Sequence, residues 1–393
     1  MGKQGSVSLL DLDGVASSPP ERSVVEAMLP WLLERHASSD SLSARGAAAR
    51  RAIEEARSEV AALVGATPEE VVFTSGATEA NNLALKGAAA LLRERVPVPL
   101  ITIPAHEQAS LLHPARSLSR AACRLEVLPV GRDGLVDPNA VRARAPALLA
   151  FAHAHRELGS LQPAATLTLA ARERAGGLVL LDTSLTAGRI PLNRSSLGDP
   201  DLLVLSFHNL GGPAGVGALV LRGAIPIPPL IEGGTQERGY RPGSPNLPGI
   251  VGAGAAARLS RLEAQRRAEA LERLGRRLFR ELGGVEGVDC CGPPPGSRLP
   301  GHLALIVSGV DGEALALSLE EHGVLAATAS PCTTEAGLPS AALRAAGYSS
   351  DEARSLLVLC IPPTAIPEEE ALVKGLVLVR REIERLRALS WRP

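Results

Sequence analysis

Residues 202–221 read Leu-Leu-Val-Leu-Ser-Phe-His-Asn-Leu-Gly-Gly-Pro-Ala-Gly-Val-Gly-Ala-Leu-Val-Leu. Two short apolar runs, Leu202–Ser206 and Gly217–Leu221, flank a turn rich in glycine. Runs that are apolar almost throughout are typical of strands buried on both faces of a sheet. The polar side chains of this stretch are Ser206, at the end of the first run, and His208 and Asn209, directly after it. The stretch therefore predicts two interior strands joined by a turn that carries candidate functional groups.

Similar apolar runs occur earlier in the chain, and helix-period segments separate several of them. They are Val71–Thr74, Leu100–Ile103, Leu125–Leu128, Ala147–Ala152 and Leu178–Asp182. Buried strands that alternate with amphipathic helices predict an α/β domain with a mostly parallel sheet covered on both sides. From about Gly252 a long helix rich in arginine and glutamate is predicted. Beyond the turn at residues 293–296 we expect a smaller α+β unit.

The composition is that of a globular protein. The chain has 393 residues, 45% of them hydrophobic, and a net charge of −1. This length accommodates two domains, and the balanced charge does not favour nucleic acid or an anionic membrane as a partner. The polar N-terminus and the absence of an apolar run near the roughly 20 residues that span a bilayer favour a cytoplasmic protein. The cysteines show no CxxC spacing, so we predict neither a disulfide framework nor a metal site.

The turn at residues 206–213 resembles the Ser-x-His-Lys-x-x-Gly-Pro segment of cysteine desulfurases, which are pyridoxal-phosphate (PLP) enzymes of aminotransferase class V. The resemblance extends from Leu12-Asp13 to the C-terminal helix. It implies the PLP-dependent transferase fold type I, in which a large domain with a mostly parallel seven-stranded sheet carries a smaller α+β domain. We accordingly expect an N-terminal arm (1–20) that joins the small domain, a large domain (21–255) and a small domain (256–393).

The most informative departure from this family is Asn209. The family has a lysine there, which holds the cofactor as a Schiff base and later moves the substrate proton. A carboxamide cannot form an imine or act as a base near neutral pH. The lysines of this chain are Lys3, Lys86 and Lys374, and none is an evident replacement.

Residues 74–82, Thr-Ser-Gly-Ala-Thr-Glu-Ala-Asn-Asn, follow a predicted strand and open a predicted helix. The free amides at a helix N-terminus suit a phosphate, although an ordinary strand-to-helix turn has the same pattern. The resemblance implies that Gly76, Ala77 and Thr78 bind the cofactor phosphate, and that Ser206 and His208 also contact it.

Two further residues receive candidate roles. Asp182 ends an apolar strand, where a carboxylate is costly to bury without a cationic partner. The resemblance pairs it with the protonated pyridine nitrogen, while an Asp that caps a turn is the simpler reading. In Ala105-His106-Glu107-Gln108, His106 matches the family histidine that stacks on the pyridine ring and helps to transfer protons. A lone histidine is more often structural.

Two loops complete the resemblance. Residues 233–244, Gly-Gly-Thr-Gln-Glu-Arg-Gly-Tyr-Arg-Pro-Gly-Ser, resemble a loop that crosses the dimer interface, so that Ser244 would donate its hydroxyl to the phosphate in the other subunit. Ser330-Pro331-Cys332-Thr333 resembles the mobile loop whose nucleophilic cysteine accepts sulfur as a persulfide. Because no activator of the thiol is evident nearby, a working thiol and an unused relic both fit Cys332.

Other family features are missing as well. Arg156 replaces an asparagine, and Leu185 a glutamine, that contact the phenolic oxygen of the cofactor. The arginine expected near Leu357–Leu359 to grip the substrate carboxylate is absent, and Pro362-Pro363 replaces a Gly-Arg pair. The segment Ser38-Ser39-Asp40-Ser41-Leu42 lacks the family's histidine.

Three hypotheses follow from these losses. The first is a cysteine desulfurase-like pseudoenzyme, which acts as a scaffold, a regulator or the silent half of a heterodimer with an active paralogue in sulfur and iron–sulfur metabolism. A homodimer, and an iron–sulfur scaffold or sulfur acceptor as partner, also fit this hypothesis. The second is an enzyme that binds PLP or its amine form non-covalently, with His208, His155 or His106 as the base. The third is a persulfide relay through Cys332.

Overall fold

The computed structural model describes residues 10–329 and 338–390. Over these ranges the β-strands are β1 Leu10–Leu12, β2 Val71–Thr74, β3 Leu100–Pro104, β4 Arg124–Leu128, β5 Leu148–Ala152, β6 Leu178–Asp182, β7 Leu202–Ser206, β8 Gly217–Leu221, β9 Val288–Cys291, β10 His302–Val307, β11 Val324–Ala326 and β12 Leu356–Cys360. The α-helices are α1 Arg22–Leu33, α2 Ala44–Val64, α3 Ala77–Arg93, α4 Ala109–Ala121, α5 Pro138–Arg144, α6 Ala164–Ala175, α7 Leu247–Leu282, α8 Gly312–Glu321, α9 Ala341–Ala345, α10 Ser350–Arg354 and α11 Glu369–Ser390.

Seven strands form the large sheet, in the order β2-β8-β7-β6-β5-β3-β4. Strand β8 is antiparallel to both of its neighbours, and the other pairs are parallel. The seven strands predicted from the apolar runs are all confirmed, with ends that differ by at most one residue. The prediction succeeds because most of these strands are buried on both faces, which makes them continuous apolar runs.

Helices cover both faces of this sheet. Side chains alternate between the faces along each strand, and apolar side chains on both faces pack against helices. Phe151 and Leu205 pack with α1, α2, α6 and α7 on one face. Leu180 and Val204 pack with α3 and α4 on the other. The result is a three-layer α/β/α arrangement, as the sequence predicted.

A second, smaller unit is built around the antiparallel sheet β12-β10-β9. Strand β1, close to the N-terminus, pairs in parallel with β11 of this unit, so that Leu10 lies opposite Val324. Helix α7 passes without a break through residues 255 and 256, and its second half contributes Leu271 and Leu278 to the core of the smaller unit. Among the described residues, no helix is long and apolar enough to cross a membrane.

The topology brings the candidate residues to one edge of the large sheet. Strands β2, β3, β5, β6 and β7 run in the same direction, because β8 is antiparallel to both β2 and β7. In such sheets the carboxyl ends of the strands form the usual ligand-binding edge. The segments that follow these five ends are 75–78, 105–108, 153–156, 183–185 and 207–209.

Candidate functional site

Gly76 and Gly217 lie in close contact at the end of the site formed by β2, β8 and β7. Gly76 has a φ of 152°, which side chains disfavour, and a Cβ on Gly217 would lie 2.5 Å from the carbonyl carbon of Gly76. Gly217 is paired with Thr74 on one side and with Ser206 on the other. Thr74, which precedes the start of α3, and Ser206 are therefore held two strand spacings apart, about 10 Å.

This end of the site suits an anion. Helix α3 begins at Ala77, so the amides of Ala77 and Thr78 belong to the first turn and lack intrahelical acceptors. The Ser206 hydroxyl lies 2.9 Å from Nδ1 of His208. Burial lowers the pKa of His208, so at neutral pH the imidazole serves as a neutral hydrogen-bonding group.

Asp182 lies at the carboxyl end of β6 and is 2% exposed. Its Oδ1 accepts a hydrogen bond from the Ser184 amide at 2.9 Å, and its Oδ2 accepts from Asn81 Nδ2 at 2.7 Å and from Gln108 Nε2 at 3.2 Å. Burial raises the pKa of Asp182, against the effect of these hydrogen bonds. All three donors are uncharged, so a cationic group bound at this carboxylate would stabilise its charge.

Gln108, not His106, occupies the place beside Asp182. The His106 ring is buried and stacks on the His155 ring, with 4.5 Å between centroids and an angle of 14° between planes. Gln108 immediately precedes α4 and reaches Asp182. The His106 ring therefore faces His155, and the role expected of it, stacking on a cofactor ring, stays a prediction. The sequence signal for Gln108 was its position as the N-cap of α4.

The three histidines considered as bases differ in accessibility. Burial lowers the pKa of His155 to about 4 and holds that of His106 well below its ordinary value. His155 is fixed by Nε2, 2.9 Å from the His106 carbonyl oxygen, and by Nδ1, which accepts from the Leu158 amide at 3.1 Å. Among the three, His208 alone is partly exposed.

Asn209 lies in the one-turn helix Phe207–Asn209 directly after β7. It is 7% exposed, and within the described ranges its Oδ1 has no hydrogen-bond partner. Its backbone carbonyl accepts a hydrogen bond from the Ser18 hydroxyl at 2.9 Å, which ties the turn to the N-terminal segment. A buried carboxamide oxygen without a partner is costly unless a ligand or solvent reaches it.

Arg156 and Leu185, the other departures from the family pattern, follow β5 and β6. Leu185 is buried. The Arg156 side chain lines a cavity of about 520 Å³ together with Thr78 and Gln108. Its backbone carbonyl is fixed by Nε2 of His302 at 2.9 Å.

The loop of residues 233–244 is anchored within its own chain by two ion pairs. Glu237 binds Arg57, with 2.7 Å between Oε2 and Nη1, and Arg241 binds Glu79 at 3.0 Å. Ser244 is exposed. The Cys332 loop lies outside the described residues, so the predictions made for Cys332 stay predictions.

Glu107 is a buried carboxyl group next to the site, and it gives a pH-dependent prediction. Burial, reinforced by the nearby charge of Asp182, raises the pKa of Glu107 from 4.5 to about 8. The folded protein therefore holds this proton where the unfolded chain releases it, so stability falls as pH rises from about 5 to 8. In wild type the free energy of unfolding should fall by up to about 1.4 kcal/mol per pH unit because of Glu107, and Glu107→Gln should abolish this contribution.

The measurement is chemical denaturation of wild type and Glu107→Gln at pH 6, 7 and 8. Asp182 contributes a slope of the same sign, so the variant retains part of the pH dependence. Parallel pH profiles for the two proteins would contradict the assignment of a raised pKa to Glu107.

The residues present suit the phosphate and the protonated nitrogen of a phosphorylated cationic ring, but they include no amine at residue 209 that could bind it covalently. The α3 start, Ser206 and His208 suit the phosphate, and the buried Asp182 suits a protonated ring nitrogen. The side chain of Asn209 offers no amine. Across the ranges 10–329 and 338–390, no group of three or more His, Cys, Asp or Glu is arranged to hold a metal ion.

Comparison with known proteins identifies the family. The profile described as aminotransferase class-V matches residues 11–349. Cysteine desulfurase IscS 1 of Archaeoglobus fulgidus is 34% identical over 381 residues, which cover 96% of this chain and 98% of that protein. Cysteine desulfurase IscS of Dictyoglomus turgidum is 35% identical over 382 residues, 96% of this chain and 95% of that protein.

A solved structure of a NifS-like protein superposes with a TM-score of 0.87 and 28% identity, over 96% of this chain and all of the other. The matches span both the large sheet and the smaller unit. The chain therefore belongs to the class-V aminotransferase family, as a cysteine desulfurase homologue with the PLP-dependent fold type I.

Proposed function

We propose that this chain is a cysteine desulfurase homologue that has lost desulfurase activity, and that it acts as a scaffold, a regulator or the silent partner of an active paralogue in sulfur and iron–sulfur metabolism. The observation that carries the proposal is Asn209. It lies at the carboxyl end of β7, next to Ser206 and His208, in the position where the family motif has its lysine.

The remaining lysines of the described chain are poor substitutes. Lys374 is on α11 and pairs with Glu370 at 2.7 Å. Lys86 is eight residues beyond Thr78 on α3, about 12 Å along the helix axis. Neither lysine follows β7, where the family motif has its lysine.

The losses around the pocket act in the same direction. Strand β12 presents Leu357, Val358 and Leu359, all buried, where the family resemblance expects the arginine that grips the substrate carboxylate. A bidentate arginine clamp and a covalent amine each contribute on the order of several kcal/mol to binding and orientation. A cysteine substrate would therefore be neither held nor activated.

The cofactor end of the site is better preserved. PLP supplies an electron sink when it is bound. In this chain the first amides of α3, with Ser206 and His208, would hold its phosphate, and Asp182 would hold its ring nitrogen in the protonated form. This set supports non-covalent binding at most.

The test is a desulfurase assay combined with spectroscopy. Purified protein with added PLP is expected to release neither alanine nor sulfide from cysteine above the rate of free PLP, while an active IscS-type enzyme serves as the positive control. Borohydride treatment is expected to leave no pyridoxyl group on the protein. Alanine release, or a reduced adduct on Lys86 or Lys374, would overturn the proposal.

The silent-partner version predicts a heterodimer. The 233–244 loop is held in position by Glu237 and Arg241, and Ser244 at its end is exposed. Co-expression with an active paralogue is expected to yield a stable 1:1 complex, measured by light scattering after size exclusion. Ser244→Ala should leave the complex intact and lower the paralogue's turnover. Exclusive homodimers without any effect on the paralogue's rate would contradict this version.

A second candidate function is a lysine-independent enzyme that uses PLP or its amine form. Three observations favour it: the buried Asp182 carboxylate, the partly exposed His208 in contact with Ser206, and the unsatisfied Oδ1 of Asn209. Here His208 would act as the base. A visible absorption band that survives dialysis and changes on addition of an amine would support this function, and a colourless protein that PLP does not stabilise thermally would exclude it.

A further inference from the structure

A polar cavity lies between α3 and α4, beside the edge of the sheet where the site residues gather. Its volume is about 520 Å³, which is within the range of small-molecule sites. Its walls come from one face of α3, one face of α4 and the segment after β5. The lining residues are Thr78, Asn82, Lys86, Gln108, Ala109, Ser110, His113, Pro114, Ser117 and Arg156.

The charges in this lining have one sign. Lys86 and Arg156 contribute full positive charges and His113 an imidazole, whereas neither aspartate nor glutamate lines the cavity. Within the described part of the chain, Lys86 and Arg156 take part in no ion pair closer than 4.0 Å, and the buried Nε of Arg156 has no hydrogen-bond partner. Two cations without an ion-pair partner that share a cavity repel each other, and an anion between them would relieve this cost.

Asp13 is an acidic residue whose charge interacts with that of Arg156, and it neutralises this charge only partly. Burial raises the pKa of Asp13 to about 6, although the Arg156 charge acts to lower it. Asp13 acts on Arg156 electrostatically without lining the cavity, and no ion pair within 4.0 Å joins these two described residues. The guanidinium thus retains donors and charge for a ligand.

The backbone adds to this field. Thr78 is the second residue of α3, and Ala109 and Ser110 are the first two of α4. The N-terminus of each helix carries a partial positive charge and free amides. Gln108, the N-cap of α4, makes no side-chain capping bond because its amide points to Asp182.

We propose that this cavity binds a small organic dianion, with one carboxylate or phosphate group at Arg156 and the second at Lys86. The guanidinium matches either group as a bidentate donor, while the ammonium acts as a point charge. Thr78 also lines the cavity, so the ligand adjoins a phosphate held at the start of α3, and Lys86, about 12 Å along α3 from Thr78, is the contact that belongs to the dianion alone. The inference concerns binding alone and does not depend on the loss of desulfurase activity.

Isothermal titration calorimetry at low salt tests the proposal with three probes: pyrophosphate, glutarate and the neutral glutaramide. Pyrophosphate or glutarate is expected to bind, and glutaramide is not. The tighter of the two dianions identifies the ligand class as phosphate or carboxylate. Lys86→Met and Arg156→Gln are each expected to weaken binding about 10-fold to 100-fold, the usual loss of one charge-assisted contact.

Lys374→Met is the matched control, because Lys374 is an exposed lysine far along the chain that already pairs with Glu370. It should bind the dianion like wild type, and circular dichroism and thermal melts establish that all variants fold. Ser206→Ala separates the two anion sites and should leave dianion affinity unchanged. The proposal is overturned if neither dianion binds, if Lys86→Met and Arg156→Gln bind like wild type, or if Ser206→Ala weakens binding as much as they do.

Discussion

Asn209→Lys is expected to convert a protein without covalent cofactor into one that carries a borohydride-reducible pyridoxyl group on residue 209. The substitution places a primary amine directly after the Ser206–His208 pair, at the carboxyl end of β7. The groups that we propose for the phosphate and for the ring nitrogen are present, so on this proposal only the anchor has to be added. The side-chain oxygen of Asn209 has no partner, so lysine breaks no side-chain hydrogen bond there.

The measurement is mass spectrometry of proteolytic peptides after incubation with PLP and reduction. Wild type should show no adduct, and Asn209→Lys an adduct approaching one per chain. Asn209→Met, which adds length without an amine, is the matched control. Desulfurase activity should stay low in all three proteins, because Leu185 and the apolar β12 are unchanged. A folded Asn209→Lys protein without an adduct would show that residue 209 does not face the cofactor.

Glu237→Ala is expected to cause a large loss of stability, because Glu237 and Arg57 form a buried, bidentate ion pair. Their side chains are 5% and 4% exposed, and the two oxygens of Glu237 lie 2.7 and 2.8 Å from the two terminal nitrogens of Arg57. Glu237 also accepts the Phe73 amide at 2.8 Å. Its removal leaves the buried guanidinium with only the exposed Glu54 as an ion-pair partner, at a cost of about 3–5 kcal/mol.

The same pair holds strained backbone in the 233–244 loop. Glu237 and Arg238 have φ values of 46° and 56°, a left-handed conformation that non-glycine residues rarely adopt in succession. Without Glu237 the loop should relax, so limited proteolysis after Arg238 should accelerate. Denaturation and proteolysis together therefore report on the anchor and on the loop.

Glu54→Ala is the matched control for this prediction. Glu54 contacts the same arginine at 3.1 Å, but its side chain is 61% exposed. Exposed ion pairs contribute about 0–1 kcal/mol, so its loss should be small. Equal losses of stability in Glu54→Ala and Glu237→Ala would contradict the role assigned to the buried pair.

The large sheet was predictable because its strands are interior. A strand buried on both faces must be apolar along its whole length, as in Leu202–Ser206, and this pattern is visible without any knowledge of neighbours. The polar residues at the strand ends were visible for the same reason, since they interrupt the apolar runs. Asp182 and Ser206 lie at the ends of β6 and β7, where the apolar runs predicted strand ends.

Features that depend on contacts distant in sequence were not predictable. The family resemblance implied that residues 1–20 join the small domain, but it did not give the pairing of β1 with β11, which joins residues more than 300 positions apart in strands of only three residues. His106 was assigned its role from its match to the family motif, and Gln108 was assigned none. Which of two neighbouring side chains faces Asp182 depends on where β3 ends and α4 begins, which the sequence alone leaves uncertain by a residue or two.

The unbroken helix α7 contributes to the core of the large domain and to the core of the smaller unit. Its 36 residues form a rod about 54 Å long, with proline confined to its first turn. In the N-terminal half of this helix, the Ser260 hydroxyl contacts the carbonyl oxygen of Leu210, the residue after Asn209, at 3.4 Å. A partner protein that binds the smaller unit and tilts α7 would therefore displace the turn that carries Asn209 without touching that turn.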